Sequence, residues 1–215
     1  MTGVVVFGRQ PVPGRVKTRL AADVGEEAAA RVYAALLDYT IDTAVAATEN
    51  VVLSLAEAPA PGWPVPGAVR VEVQGRGNLG RRMHEAFVRR FREGWGRVVL
   101  IGSDCACLRP EHLLRAAEAL ERRPVVLGPA EDGGFWLVGQ RPPAADIFTG
   151  VRWSEPQTME STRRRLRFLN LGWSELATLP DVDTKEDLKQ VLGGPREVDS
   201  KLRRWLEAAV SRARR

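Results

Sequence analysis

The sequence predicts an α/β fold: a three-layer α/β/α sandwich around a mostly parallel, mixed central sheet. Two observations support it. Short apolar runs alternate along the chain with stretches of helical periodicity. One run, Val98-Val99-Leu100-Ile101, is unbroken, as expected of a strand covered on both faces. It stops at Gly102-Ser103-Asp104, so a carboxylate emerges at the carboxyl end of a buried strand. Ligands of open α/β sheets bind in that crevice. At 215 residues and 44% hydrophobic, the chain can bury one substantial core.

The elements follow in order. Residues 4–7 read as the first strand, and 8–20 as a Pro- and Gly-bearing loop that runs into a helix. Val32, Leu36, Leu37, Ile41 and Val45 give residues 26–48 a helical period. A second apolar run covers 51–55, and the four prolines and two glycines of 58–68 make a loop. Residues 69–73 alternate like a strand with one wet face. A Gly-rich turn at 75–80 then feeds a helix through Met83, Phe87 and Phe91. Strand 97–101, helix 110–122, strand 124–128, the turn at Asp132-Gly133-Gly134 and strand 135–138 continue the alternation. Residues 141–155 are irregular, 156–169 helical, and 173–179 return as a strand. Asp181-Val182-Asp183-Thr184 opens a last helix at Lys185.

Composition narrows the function classes. No apolar run is long enough to span a bilayer, and the start lacks a basic n-region, so neither a membrane anchor nor a signal peptide is expected. Cys105 and Cys107 are the only cysteines, too close for an ordinary disulfide, and read as free thiols; a cytoplasmic location fits. The net charge of +5 is concentrated in residues 196–215, which hold seven basic residues against Glu197, Asp199 and Glu207. Leu202, Leu206 and Val210 recur there at helical spacing, so 195–215 reads as a basic helix docked on or extending from a domain of residues 1–194. No specific nucleic-acid partner and no membrane partner are expected.

Two regions carry candidate chemistry. Residues 8–22 hold Arg9, Arg15, Lys17 and Arg19 with no acidic residue, shaped by Gly8, Pro11, Pro13 and Gly14 and followed by a helix. That combination makes a polyphosphate cradle, although residues 8–22 hold neither Gly-Lys-Ser/Thr nor Gly-x-Gly-x-x-Gly. Asp181 and Asp183 form the second. Thr184 with Asp187 resembles a capping box, which leaves the two upstream carboxylates unexplained. Together with Asp104 they could hold a hard cation through oxygen ligands. Asp132-Gly133-Gly134 reads equally as a hairpin turn or as part of an acceptor site. Trp136 and Trp153 read as core or pocket wall, and His84 and His112 as poor candidates for a base.

The ordered set Phe7-Gly8, Pro13-Gly14, Lys17-Thr18-Arg19-Leu20, Gln74-Gly75, Gly77-Asn78-Leu79-Gly80 and Ile101-Gly102-Ser103-Asp104-Cys105 is more specific than any one motif. Gly128-Pro129, Asp132-Gly133-Gly134-Phe135, Trp153-Ser154 and Asp181-Val182-Asp183-Thr184 with Asp187-Leu188 continue it. The pattern, over residues 3–190, resembles the bacterial DUF2064 group of the nucleotide-diphospho-sugar transferase superfamily. That group is similar to phospholactate or phosphoenolpyruvate guanylyltransferases and, more distantly, to molybdopterin nucleotidyltransferases. Asn78 stands where the group commonly has Asp, and Ala106 where a Pro usually follows the Cys.

The resemblance implies a GT-A-like fold, a nucleotide at the first loop and Mg²⁺ (or Mn²⁺) near the central Asp. Lys17 and Arg19 match its phosphate-binding pair, and Asp104 and Asp183 its acidic metal positions. The expected nucleotide site comprises Gly8, Arg9, Gly14, Arg15, Lys17, Arg19, Gly75, Gly77, Asn78 and Gly80. Asp132, Gly133 and Gly134 are the expected acceptor contacts, and Lys17, Arg19 and Asp104 the catalytic set. The leading expectation is a nucleotidyltransferase that joins an NTP to a small phosphate-bearing acceptor and releases pyrophosphate. A glycosyltransferase using a nucleotide-sugar, with Asp132 or Glu131 as base, is the alternative. A non-enzymatic nucleotide- or RNA-associated module ranks third.

Overall fold

The computed structural model describes residues 1–66, 69–153, 155–194 and 197–211. Ser154 and, in the basic tail, Arg196, Arg212, Arg214 and Arg215 lie outside the described residues, as does the boundary at residue 195.

A seven-stranded sheet forms the middle layer, in the order β3-β2-β1-β4-β6-β5-β7. The strands are β1 (Thr2–Gly8), β2 (Val51–Leu55), β3 (Arg70–Val73), β4 (Arg97–Ile101), β5 (Val125–Pro129), β6 (Phe135–Gln140) and β7 (Trp173–Glu175). All neighbours run parallel except β6, which is antiparallel to both β4 and β5. The sheet is therefore mixed and mostly parallel. β5 and β6 join as a hairpin, and this accounts for the single reversal.

Both faces are covered, which is why the central strands carry unbroken apolar runs. On one face, α2 (Glu26–Ala47) and α4 (Pro110–Arg122) pack Tyr33, Leu37, Ile41, Leu113 and Leu120 onto Val4, Val6, Val99 and Ile101. On the other, α3 (Leu79–Arg92) and α5 (Thr158–Phe168) pack Met83, Phe87, Met159 and Leu166 onto Val5, Phe7, Val98 and Leu100. A third apolar cluster joins α1 (Thr18–Val24), α2, α6 (Lys185–Gly193) and α7 (Ser200–Ser211). Within it Leu202, Leu206 and Ala209 of α7 are buried, while Val210 is half-buried.

Local chemistry sets the ends. Gly25, at φ +85°, separates α1 from α2 in a backbone conformation that few other residues tolerate. Asn78 caps α3 by accepting from the Arg81 amide at 2.9 Å, a role that Asn and Asp fill about equally well. The expected strand over 173–179 is shorter. After β7 the chain leaves the ladder, and Ala177 gives its carbonyl to Trp136 Nε1 at 3.1 Å. The strand character returns only as a bridge between Leu179 and Ala130.

Candidate functional site

The carboxyl ends of β1 and β4 lie side by side, because Val6 pairs with Ile101. β1 opens there into the basic loop and β4 into Gly102-Ser103-Asp104. Between them lies a cavity of about 520 Å³, lined among others by Gly8, Arg9, Arg15, Lys17, Arg19, Gln74, Arg82, Asp104 and Asp183. Five of those side chains are cationic and two are anionic.

Lys17 is the centre of the charge arrangement. Its Nζ lies 2.5 Å from Asp104 Oδ1 and 2.7 Å from Asp183 Oδ1, and its side chain is only 4% exposed. Burial pulls the Lys17 ammonium down, but Asp104 and Asp183 outweigh it and hold its pKa above the ordinary value. Lys17 reaches inward from a left-handed backbone, φ 47°, at the cap of α1. The distal carboxylate arrives through the backbone: Val182 donates to the Asp104 carbonyl at 2.9 Å, which lays 181–183 against the end of β4. Thr184 and Asp187 then form the capping box of α6, leaving Asp183 free to face Lys17.

A hydroxyl pair pins the two loops together. Tyr33 of α2 accepts from the Arg9 amide at 2.8 Å and lies 2.9 Å from Ser103 Oγ. Burial, then the Asp104 charge, raises the Tyr33 pKa, so the phenol stays protonated. Asp181 sits beside the same cluster, with its carboxyl pushed up to about 8 by burial and then by Asp104 and Asp132. It therefore takes up a proton far more readily than an ordinary surface Asp.

The remaining expected residues shape the surroundings and do not line the cavity. Gly14, Gly75, Gly77, Asn78 and Gly80 lie outside its wall, as do Asp132, Gly133 and Gly134. Asp132 accepts from the Gly134 amide at 2.8 Å in the β5–β6 turn. Gly133 holds φ +88°, and a Cβ there would stand 2.1 Å from the Pro156 carbonyl oxygen. The absence of acid within residues 8–22 does not leave every cation there free. Arg15 pairs with Glu57 at 3.1 Å and Lys17 with the two aspartates. Trp136 and Trp153 belong to apolar clusters. His112 caps α4, its Nδ1 accepting from the Arg109 amide at 3.1 Å. Sequence reading does not single out Tyr33, Ser103 or Arg82. Arg82 had one signal, its place just after the Gly-rich turn.

Oxygen donors of the kind that hold a divalent cation are present. Asp104 and Asp183 each place an oxygen against one cationic point, now filled by the Lys17 ammonium. Among the described residues, no group of three His, Cys, Asp or Glu side chains could hold a metal by itself. Two carboxylates nevertheless fit Mg²⁺ or Mn²⁺, which commonly take one or two carboxylates and complete their shell with water and substrate phosphates.

A mixed sheet with one reversed strand, helices on both faces and a polar cavity at the carboxyl ends defines the nucleotide-diphospho-sugar transferase fold. Residues 31–155 match the model of the family described as DUF2064, uncharacterised protein conserved in bacteria, and the chain belongs to that family. It is similar to a Desulfovibrio desulfuricans G20 protein provisionally assigned as a nucleotide-diphospho-sugar transferase. The TM-score is 0.86 at 28% identity over 99% of this chain and 97% of that one. The fold is shared with a CMP:2-keto-3-deoxy-manno-octonic acid synthetase complexed with CTP (TM-score 0.54, 15% identity, 88% and 96% coverage). It is shared also with Rv0371c of Mycobacterium tuberculosis H37Rv in complex with manganese (0.53, 18%, 88% and 96%). No curated protein matches the chain. Among the described residues no helix is long and apolar enough to cross a membrane.

Proposed function

We propose that this chain is a divalent-metal-dependent nucleotidyltransferase that joins an NTP to a small phosphate-bearing acceptor and releases pyrophosphate. It is a transferase, and residues 1–194 carry the reaction, with the basic helix α7 appended to them. One observation carries the reading: a cavity rich in cations at the carboxyl ends of β1 and β4, with Asp104 and Asp183 converging on one cationic point inside it. A fold neighbour with CTP and another with manganese support the choice of nucleotide and metal.

Asp104 and Asp183 would hold the metal, which when bound supplies charge neutralisation and a template for phosphate oxygens. Displaced from the two carboxylates by the metal, Lys17 would join Arg19 in neutralising the polyphosphate, and the loop backbone at Gly8 and Arg9, pinned by Tyr33, would orient it. An acceptor phosphate is already ionised at neutral pH, so the site needs no general base, and neither His84 nor His112 lines the cavity. The turn at Gly75, Gly77, Asn78 and Gly80, beyond the cavity wall, is assigned to the nucleoside, and Asp132-Gly133-Gly134 to the acceptor approach.

The similarity to the Desulfovibrio protein favours glycosyl transfer from a nucleotide-sugar as a second reading. One assay separates the two. NTPs with phosphorylated acceptors are screened for pyrophosphate release, and nucleotide-sugars for nucleoside diphosphate release, each with Mg²⁺ or Mn²⁺. Metal-dependent pyrophosphate release that is lost in Asp104→Asn supports nucleotidyl transfer. Diphosphate release from nucleotide-sugars alone overturns it.

A further inference from the structure

We propose that Arg82, together with Arg9, forms an anion subsite on the α3 side of the cavity, taking a phosphate or carboxylate group of the bound substrate. The proposal rests on the transferase reading and gives a chemistry to the wall which that reading leaves unassigned. α3 covers the sheet face opposite α2, so Arg82 enters the cavity from the other side of the sheet from the Tyr33 pin.

Three features distinguish Arg82 from an ordinary surface arginine. First, it is held in place. Its Nη1 donates to Gln74 Oε1 at 2.7 Å, and Gln74 Nε2 in turn donates to the Ser54 carbonyl of β2 at 2.8 Å. Both ends of the Gln74 amide are thus spent on positioning the guanidinium. Second, it is uncompensated. Its α3 neighbours Arg81, Arg89 and Arg90 pair with Glu85, Glu72 and, for Arg90, also Glu93. Among the described residues neither Arg82 nor Arg9 has an acidic partner within ion-pair distance, and both cavity carboxylates are engaged by Lys17. Third, Arg82 Nε is buried with no hydrogen-bond acceptor. A guanidinium only donates, and a buried unmet donor is costly. Burial and then the Arg9 charge both press on the protonated form of Arg82. Two guanidinium groups in one cavity, neither paired with an acid among the described residues, suit a ligand that brings the negative charge. The planar fork of Arg matches a carboxylate or phosphate edge.

That anion could come from the nucleotide or from the acceptor. Calorimetric titration distinguishes the sources, using wild type, Arg82→Gln and Arg82→Lys. The probes are CTP and GTP with Mg²⁺, cytidine and guanosine, pyrophosphate, and phosphoglycolate as a small phosphate-and-carboxylate molecule. Arg82→Gln is expected to lose about tenfold to a hundredfold in affinity for at least one anionic probe, with the nucleosides unaffected. Loss on the triphosphates and pyrophosphate assigns the subsite to the nucleotide, and loss on phosphoglycolate alone assigns it to the acceptor. Arg82→Lys keeps the charge without the fork and should lose several-fold; it decides the matter if the Gln variant does not fold. Unchanged affinity for every anion, while Lys17→Ala weakens triphosphate binding, overturns the subsite and leaves the transferase reading standing. Failure of wild type to bind any of the anions overturns both.

Discussion

Lys17 ties Asp104 to Asp183, which lies 166 residues beyond Lys17 in the chain, and this bridge sets the behaviour of the site residue by residue. An ammonium and a divalent cation cannot share one point between two carboxylates, because their repulsion at such distances is large. Lys17→Met should therefore raise the affinity of the nucleotide-free protein for Mn²⁺, read by electron paramagnetic resonance, while triphosphate affinity falls. Equal Mn²⁺ binding by variant and wild type would contradict the bridge as a barrier to metal. Asp104→Asn should remove metal-dependent binding and turnover, at a cost on the order of several kcal/mol of transition-state stabilisation. Unchanged Mn²⁺ affinity in that variant would exclude Asp104 as a ligand. Asp104 was legible in the sequence because a buried strand stops at it. The Lys17 pairing, the Tyr33 pin and the burial of Asp181 were not, since each arises from contacts between segments far apart in the chain. A window with no acid of its own gave no sign that Lys17 would be buried between carboxylates from elsewhere.

At the scale of elements, strands with unbroken apolar runs and helices with clear periodicity were legible to within a few residues. β7 was the exception, because the pattern of 173–179 does not reveal that Ala177 is diverted to Trp136. α4 offers a test with a pH dependence. Its first turn relies on neutral His112, whose Nδ1 accepts from the Arg109 amide and whose ring lies 5.7 Å from that of Trp136. Burial, then the charges of Arg115 and Arg109, hold the imidazole below its ordinary pKa of 6.5, against a smaller opposing effect of Glu111. The unfolded chain takes up this proton first as pH falls below about 6.5. The His112 contribution is thus whole above that pH and is lost as pH drops through the folded-state value. His112→Leu should cost about 1 kcal/mol at pH 8, from the lost cap, and should flatten the decline in stability between pH 7 and pH 5. Denaturant titrations of both proteins at several pH values check this; parallel declines would exclude His112 as the source.

For the whole molecule, α7 is a buttress placed away from the cavity. Leu202 and Leu206 are fully buried against the α1–α2–α6 cluster, Lys201 pairs with Asp42 at 2.8 Å, and Arg31 Nε donates to the Ala209 carbonyl at 3.2 Å. Deleting residues 196–215 should lower the melting temperature by roughly 10 °C, from the loss of two buried leucines, without changing triphosphate affinity. Tight, salt-sensitive RNA binding that disappears with the truncation would instead make the basic helix a nucleic-acid arm. The most direct test of the central claim follows the α-phosphorus. The protein is incubated with Mg²⁺, phosphorylated small acceptors and NTPs labelled at that atom. Nucleotidyl transfer predicts label in a new acceptor–nucleotide product and unlabelled pyrophosphate in equal amount. Label that remains in the NTP with every base and acceptor, while nucleotide-sugars release nucleoside diphosphate, would contradict it.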